Sequence, residues 1–224
     1  MALSVMPSLA AGQGTGCAFT RSAANASPEP NVRSALRCLV NVERARHGLR
    51  ALRSSSRLNT AADRHSTDMV ARAYFAHVSP EGASVADRVR QTGYLGGAHD
   101  WALGEDIGWG TGTASTPASI FRAFMNSPPH RRVILDRQFR QIGVGVAQGV
   151  PVAGQGAGAT FVLDFGQVDC VDPSVGSVRK SGVDRRSWPG RSEGDVAQPH
   201  DRARTQPRAS RRPRIPCSTC GRVH

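Results

Sequence analysis

The hydrophobic pattern of this chain changes its period once, at the Pro128-Pro129 pair. Before the pair, apolar residues recur at intervals of three and four, as they do on one face of a helix. After the pair, Ile142, Val144 and Val146 alternate with glycines, and residues 160–165 are rich in β-forming residues. Several helices followed by two late strands predict an α+β fold in which helices cover an antiparallel sheet.

Four helices are expected before the proline pair. The first begins near Val32 and ends at His47, with Gly48 suited to the C-cap position. The next two are expected over residues 57–73 and 84–92. The fourth begins at Pro117, after an N-cap threonine, and ends before Pro128. After the helices, the glycine-rich residues 149–158 predict a hairpin between the two strands.

Apolar residues are concentrated in the middle of the chain, which predicts its domain organisation. Residues 31–169 hold 33 of the 44 Leu, Ile, Val and Phe residues and are expected to form the folded domain. Residues 170–224 are rich in Arg, Pro and Ser without periodicity, and a disordered tail is expected there. Within residues 1–30, residues 2–11 have the length of a signal-peptide apolar region but lack preceding basic residues. That segment is therefore either a truncated signal region or an ordinary terminus.

The formal net charge of +12 says little about function. All 29 basic residues except Lys180 are Arg, which codon bias in a GC-rich genome explains as well as selection for phosphate binding does. The run of arginines at residues 202–214 is either a solvated tail or a segment that contacts anionic surfaces by charge alone. No specific nucleic-acid partner is expected. No stretch reaches the roughly 18 apolar residues that span a bilayer, so no transmembrane segment is expected.

The five cysteines leave their pairing open. Cys17 and Cys38 flank the start of the expected domain, and in an oxidising compartment a bond between them would contribute ~3 kcal/mol. Cys170 follows the last expected strand. Cys217 and Cys220 form a CxxC motif near the end of the chain. Three explanations of this motif stay open: the two cysteines are zinc ligands, they are a redox pair, or their spacing is incidental.

Three ionisable residues lie at helix ends or in loops beside apolar anchors. They are His77 within residues 74–80, Glu105 within residues 104–107, and His130 within residues 127–135. Each residue taken singly is better explained by an ordinary hydrogen-bonded role. His65, Ser66 and Asp68 do not suggest a catalytic relay, because residues one to three positions apart on one helix do not form one.

The order and surroundings of these segments resemble the CAP superfamily of cysteine-rich secretory, antigen 5 and plant pathogenesis-related proteins, and most closely its bacterial single-domain branch. The resemblance covers residues 34–167. It is carried by the segments LVNVERARHGLRAL, AADRHSTDMVARAYFAHVSPEG, DRVRQTGY, GEDIGWG, FMNSPPHRRVIL, FRQIGVGVA and TFVLDFGQ.

The resemblance implies an α-β-α sandwich, usually secreted, and therefore an extracellular or cell-envelope location. It also implies a central cleft with two histidines and two acidic residues, which binds a divalent metal in some members. His77, Glu105 and His130 match three of those four positions. The fourth falls near Ser127, which has no carboxylate, and the usual Gly-Glu-Asn motif has Asp106 in place of the asparagine.

Two functions are compatible with such a cleft. Two imidazoles and one carboxylate make a set like that of catalytic zinc sites, and the same three groups also make a hydrogen-bonded structural cluster. The first hypothesis is a binding module with no established catalytic activity, whose cleft receives either a ligand or a metal ion. The ligand is not identified by the sequence, and a lipid or another cell-envelope component is the candidate. The alternative is a metal-dependent hydrolase, with zinc held by His77, Glu105 and His130 and with Glu105 or a histidine activating water.

Overall fold

The structure is a computed structural model that describes residues 16–170, apart from residues 153, 154 and 156. The first half of the expected N-terminal segment and the arginine-rich tail lie outside the described residues. So do Cys217, Cys220 and the side chain of Cys170.

The described residues form five α-helices and a four-stranded sheet. The helices are α1 (Glu29–Arg46), α2 (Ser56–Ala71), α3 (Val85–Gln91), α4 (Pro117–Asn126) and α5 (Pro128–Ile134). The strands are β1 (Arg53–Ser54), β2 (Ala98–Thr111), β3 (Gln141–Gln148) and β4 (Gly158–Cys170). The strand order is β1-β3-β4-β2, and β4 pairs antiparallel with both of its neighbours. The short β1 pairs parallel with β3.

This arrangement confirms the α+β fold and the four expected helices, and it adds elements that the pattern did not predict. Pro128 and Pro129 begin α5 rather than only ending α4. The backbone N–H groups of a first helical turn have no partner within the helix, so proline, which lacks this N–H, fits there without loss of a hydrogen bond. The longest strand, β2, was not predicted because glycines and polar residues interrupt its alternation. Its pairing with β4 over almost its whole length makes it a strand.

Helices cover both faces of the sheet. On one face, Phe161, Leu163 and Phe165 of β4 join a core with residues of α1, α4 and α5. On the other face, Val162 packs with Ile107 of β2 and with residues of α2. Successive strand residues point to opposite faces, so β4 contributes to both cores. The fold is therefore the α-β-α sandwich that the resemblance implied.

The glycines that alternate along β3 bring α2 close to the sheet. A Cβ atom added at Gly143 would lie 2.2 Å from the Leu58 carbonyl carbon, and one added at Gly145 would lie 2.2 Å from the Ala62 carbonyl carbon. Neither position has room for a side chain. The alternation of glycine with Val and Ile thus reflects a helix resting on one face of this strand.

Cys17 and Cys38 form a disulfide that joins the segment before α1 to α1 itself. The sequence left this pairing open among five cysteines. Within the described residues, no helix is long and apolar enough to cross a membrane.

Candidate functional site

The carboxylate of Glu105 is the centre of a polar cluster between β2 and α3. Its side chain is 2% exposed. Oε1 accepts a hydrogen bond from Nδ1 of His77 at 2.8 Å, and Oε2 accepts one from Nη2 of Arg88 at 2.6 Å. The structure therefore brings His77 and Glu105 together, and it adds an arginine.

The sequence positions these groups through strand alternation and a helix cap. Glu105 lies two residues before Ile107 on β2, and both side chains point toward α2 and α3. Helix α3 begins with a capping box in which Ser84 and Asp87 bond each other's backbone N–H groups. Arg88 also donates to the carbonyl oxygen of Ala83 at 2.9 Å, which holds the guanidinium against the carboxylate.

Glu105 is negatively charged in this environment. Burial alone would raise the pKa of Glu105, but the hydrogen bond from His77 and the positive charge of Arg88 outweigh burial and hold that pKa below its ordinary value. An ionised carboxylate only accepts hydrogen bonds, so Nδ1 of His77 carries a proton. In the tautomer that carries its only ring proton on Nδ1, Nε2 is an acceptor, and the His77 side chain is 54% exposed.

His65, on the buried face of α2, holds the backbone next to His77. Its Nε2 lies 3.1 Å from the carbonyl oxygen of Ala76 and 3.9 Å from Oε1 of Glu105. Burial lowers the pKa of His65, so a neutral ring donates to Ala76 through Nε2. The hydroxyl of Tyr74 donates to Asp68 at 2.5 Å and lies 3.4 Å from Nδ1 of His65.

The sequence predicts that His65 points toward the protein interior, but it indicates no function for this side chain. Its spacing on α2 indicated burial, but no local signal connected it to residue 76. Ser66 is not paired with His65, because its hydroxyl donates to the carbonyl oxygen of Asp63 at 3.0 Å. This agrees with the expectation that these residues form no catalytic relay.

Asp164 lies directly across the sheet from Glu105, in register on β4. Burial raises the pKa of Asp164 well above its ordinary value, and the charge of Glu105 raises it further. Asp164 therefore retains its proton, and neither of its buried carboxyl oxygens has a hydrogen-bond partner among the residues that the structure describes. The acidic residue within the apolar segment TFVLDF was the sequence signal for this buried carboxyl group.

Asp106 lies on the opposite face of β2. A Cβ atom added at Gly104 or Gly108, two residues to either side, would contact residues of α4 and α5, and Asp106 points the same way. Its side chain is buried, and neither carboxyl oxygen has a hydrogen-bond partner within the described part of the chain. Burial raises the pKa of Asp106 well above its ordinary value, with a further contribution from Glu105.

We expect Asp106→Asn to stabilise the protein by about 1–2 kcal/mol at pH 7. A carboxyl group whose pKa is raised on folding must take up a proton to be buried, so its contribution to stability is lost as pH rises above about 4, the ordinary Asp value. Asparagine has the same shape and no such cost. Urea unfolding of both proteins should show equal stability near pH 3.5 and a difference that grows toward pH 7. A stability difference between the two proteins that does not change with pH would contradict the explanation by proton uptake at Asp106.

His130 lies in the first turn of α5. Its ring is tilted against that of Phe124, with the centroids 5.2 Å apart, and Phe124 belongs to the core on the α4 and α5 face. Throughout the described part of the chain, no three His, Cys, Asp or Glu side chains are arranged to hold a metal ion.

Both carboxylate oxygens of Glu105 already have partners in this structure. The guanidinium of Arg88 lies 2.6 Å from one oxygen of Glu105 and already balances the charge that a divalent cation would balance. Nδ1 of His77 donates a hydrogen bond to the other carboxylate oxygen. Zinc binding by His77, Glu105 and His130 therefore stays a prediction from the resemblance.

Known proteins share the domain. YkwD of Bacillus subtilis (strain 168), described as an uncharacterized protein, is 36% identical over 110 residues, which are 49% of this chain and 40% of YkwD. The chain thus spans less than half the length of that relative. An outer surface protein from Borrelia burgdorferi shares the fold with a TM-score of 0.50 at 17% identity, over 60% of this chain and 90% of that one.

A third similarity is to an extracellular protein containing a SCP domain from Bacillus anthracis, which is 26% identical, with a TM-score of 0.49, over 61% of this chain and 40% of that one. The family model of the cysteine-rich secretory protein family matches residues 38–164. This match covers more than half of the chain and includes α2, α3 and the site around Glu105. The chain therefore belongs to the cysteine-rich secretory protein family.

Proposed function

We propose that the domain is an extracellular or cell-envelope binding module whose ligand contacts His77. The observation that carries the proposal is the buried pair of Glu105 and Arg88, which fixes one nitrogen of an imidazole whose other side is exposed. Binding sites use such pre-positioned polar groups, because a side chain that is already ordered loses little entropy when a ligand binds.

The surroundings of His77 favour a partly apolar ligand. Phe75 is 43% exposed and Val78 is 40% exposed, in the loop that carries the imidazole. A hydrogen-bonding imidazole between two exposed apolar side chains suits a molecule with both polar and apolar parts. A lipid or another cell-envelope component has that chemistry.

Three observations are compatible with the proposed location. The disulfide between Cys17 and Cys38 is typical of proteins that fold in oxidising compartments. The family that matches residues 38–164 is described as one of secretory proteins. The Borrelia burgdorferi protein with the same fold is described as an outer surface protein, which is compatible with such a location.

A binding assay with the His77→Ala variant tests the proposal. The probes are purified peptidoglycan, measured by co-sedimentation, and phosphatidylglycerol vesicles, measured by flotation. We expect the parent to bind one of these materials and His77→Ala to bind it at least tenfold more weakly, a loss of about 1.4 kcal/mol. His99→Ala is the matched control, because His99 is an exposed histidine at the far end of β2, the strand that carries Glu105. Equal binding by parent and His77→Ala, or no binding by the parent, would overturn the proposal.

The hydrolase is the second candidate, and one observation favours it. A histidine that donates from Nδ1 to a buried carboxylate has Nε2 available to accept a proton, as in the base half of a hydrolytic triad. Among the described residues, no serine or cysteine side chain hydrogen-bonds that nitrogen, so the nucleophile would be water. Hydrolysis of a peptide or ester panel that is lost in His77→Ala but retained in His99→Ala would establish the enzyme in place of a binding module.

Zinc binding has a separate test. Native mass spectrometry with added zinc, before and after a chelator, measures the metal per chain. One zinc ion per chain that is lost in His130→Ala would establish the three-residue centre. Binding of no zinc, or equal uptake by His130→Ala, would exclude it.

A further inference from the structure

A groove with basic and apolar walls lies where α4 meets α5 and continues past the end of α5. Its volume is about 590 Å³, within the range of small-molecule sites. It is lined by the arginines Arg131, Arg132 and Arg137 and by apolar side chains that include Met125 and Leu135. It lies on the α4 and α5 side of the sheet, whereas Glu105 points toward α2 and α3.

The charge in the groove is predominantly positive. Asp136 is its one acidic lining residue, and Oδ1 of that residue accepts a hydrogen bond from the backbone N–H of Gln138 at 2.8 Å. All three lining arginines are exposed, so their guanidinium groups are accessible to a ligand in solution. An anion in the groove would therefore interact with several cations and only one carboxylate.

A fourth guanidinium lies beneath the groove. Arg44 of α1 is fully buried, and its Nη1 donates to the carbonyl oxygens of Ile134 at 2.7 Å and Asp136 at 2.9 Å. These bonds fix the backbone of the turn that forms one wall. Within the described residues, Nη2 of Arg44 is buried without a hydrogen-bond partner. A buried cation next to the wall adds to the positive potential, and less solvent screens it.

The apolar part of the groove is continuous with the protein interior. Met125 and Leu135 are partly buried and pack against the core on the α4 and α5 face. Their remaining exposed surface faces a cavity whose rim is charged. Such an arrangement favours a ligand with an anionic end and an apolar end over a purely ionic one.

We propose that this groove binds an organic phosphate with an apolar substituent. The phosphate interacts with Arg131, Arg132 and Arg137, because guanidinium groups donate paired hydrogen bonds to phosphate oxygens. A phosphate has more oxygens to accept from three arginines than a single carboxylate has. The apolar substituent covers Met125 and Leu135. This site is separate from the one around His77, and its test does not depend on that proposal.

Isothermal titration calorimetry of the full chain with octyl phosphate, below its micelle concentration, tests the inference. Octyl glucoside has the same alkyl chain without the charge, and inorganic phosphate has the charge without the chain. We expect octyl phosphate to bind at least tenfold more tightly than either. The double variant Arg132→Gln, Arg137→Gln should weaken octyl phosphate binding at least tenfold.

The double variant Arg64→Gln, Arg122→Gln is the matched control. It removes the same charge at two exposed helical positions that do not line the groove, and we expect less than a twofold change. Equal losses in the two double variants would show attraction by net charge alone and overturn the proposal. Equal binding of octyl glucoside or of inorganic phosphate, or no binding of octyl phosphate, would also overturn it.

Discussion

Replacing Arg88 with methionine is expected to lower the free energy of unfolding by about 3–5 kcal/mol. The substitution removes the cation that lies 2.6 Å from Oε2 of Glu105, a carboxylate only 2% exposed. Methionine fills a similar volume, so the loss reports the buried uncompensated charge rather than a cavity. Urea unfolding of parent and variant at pH 7 measures the difference.

Arg90→Met is the matched control on the same helix. Arg90 pairs with Asp87 at 2.8 Å, but their side chains are 58% and 48% exposed, so removing that pair should cost less than about 1 kcal/mol. Glu105→Gln in the Arg88→Met background should recover part of the lost stability, because it removes the unpaired charge. An Arg88→Met variant no less stable than Arg90→Met would contradict the role of the buried pair.

The effect of Arg88→Met should also depend on pH. The pKa of Glu105 is lowered in the folded protein, so its contribution to stability is present above the ordinary Glu value of about 4.3 and is lost as pH falls through the lower folded value. Without Arg88, Glu105 takes up a proton at higher pH, and the penalty for burying its charge disappears on acidification. The stability difference between parent and variant should therefore narrow as pH falls toward about 4.3, and it should narrow further below that value, where the parent itself loses stability.

Removing the disulfide with the double substitution Cys17→Ser, Cys38→Ser is expected to lower the free energy of unfolding by ~3 kcal/mol. The two cysteines are 21 residues apart in sequence, and a bond between them restricts the unfolded chain. It also fastens the segment before α1 to that helix. Thermal and urea unfolding without reductant measure the loss.

The parent under reducing conditions is the control for the disulfide. Dithiothreitol should lower the stability of the parent toward that of the double variant and leave the variant unchanged. Mass spectrometry checks that dithiothreitol has reduced the disulfide of the parent. If the stability of the reduced parent is then unchanged, the expected stabilisation is contradicted.

The individual elements differ in how far the sequence predicted them. The helices α1, α2 and α4 were predicted because their apolar stripes and caps are local signals, and β3 and β4 were predicted because alternation and β-branched residues are local as well. The strand β2 has no such pattern. It becomes a strand through hydrogen bonds with β4, whose residues lie more than forty positions away in the chain.

The candidate site shows the same division. The resemblance singled out His77 and Glu105, and the structure joins them at 2.8 Å. Neither spacing nor composition predicted Arg88 as the partner of Glu105, because α3 and β2 meet only in the folded protein. His130 matches the family motif equally well, but the described contacts place its ring against Phe124.

The sequence by itself determined four of the five helices, the two late strands and the family, since each depends on residues close together in the chain or on motifs in order. Only the tertiary structure decided which groups share an environment. Strand alternation directs Glu105 toward α2 and α3 and its neighbour Asp106 toward α4 and α5. One buried carboxylate thus meets an arginine and is charged, while the adjacent buried carboxyl has no partner among the described residues and is held neutral. Long-range packing sets that difference, because the solvation and neighbouring charges of a group depend on every element that folds around it.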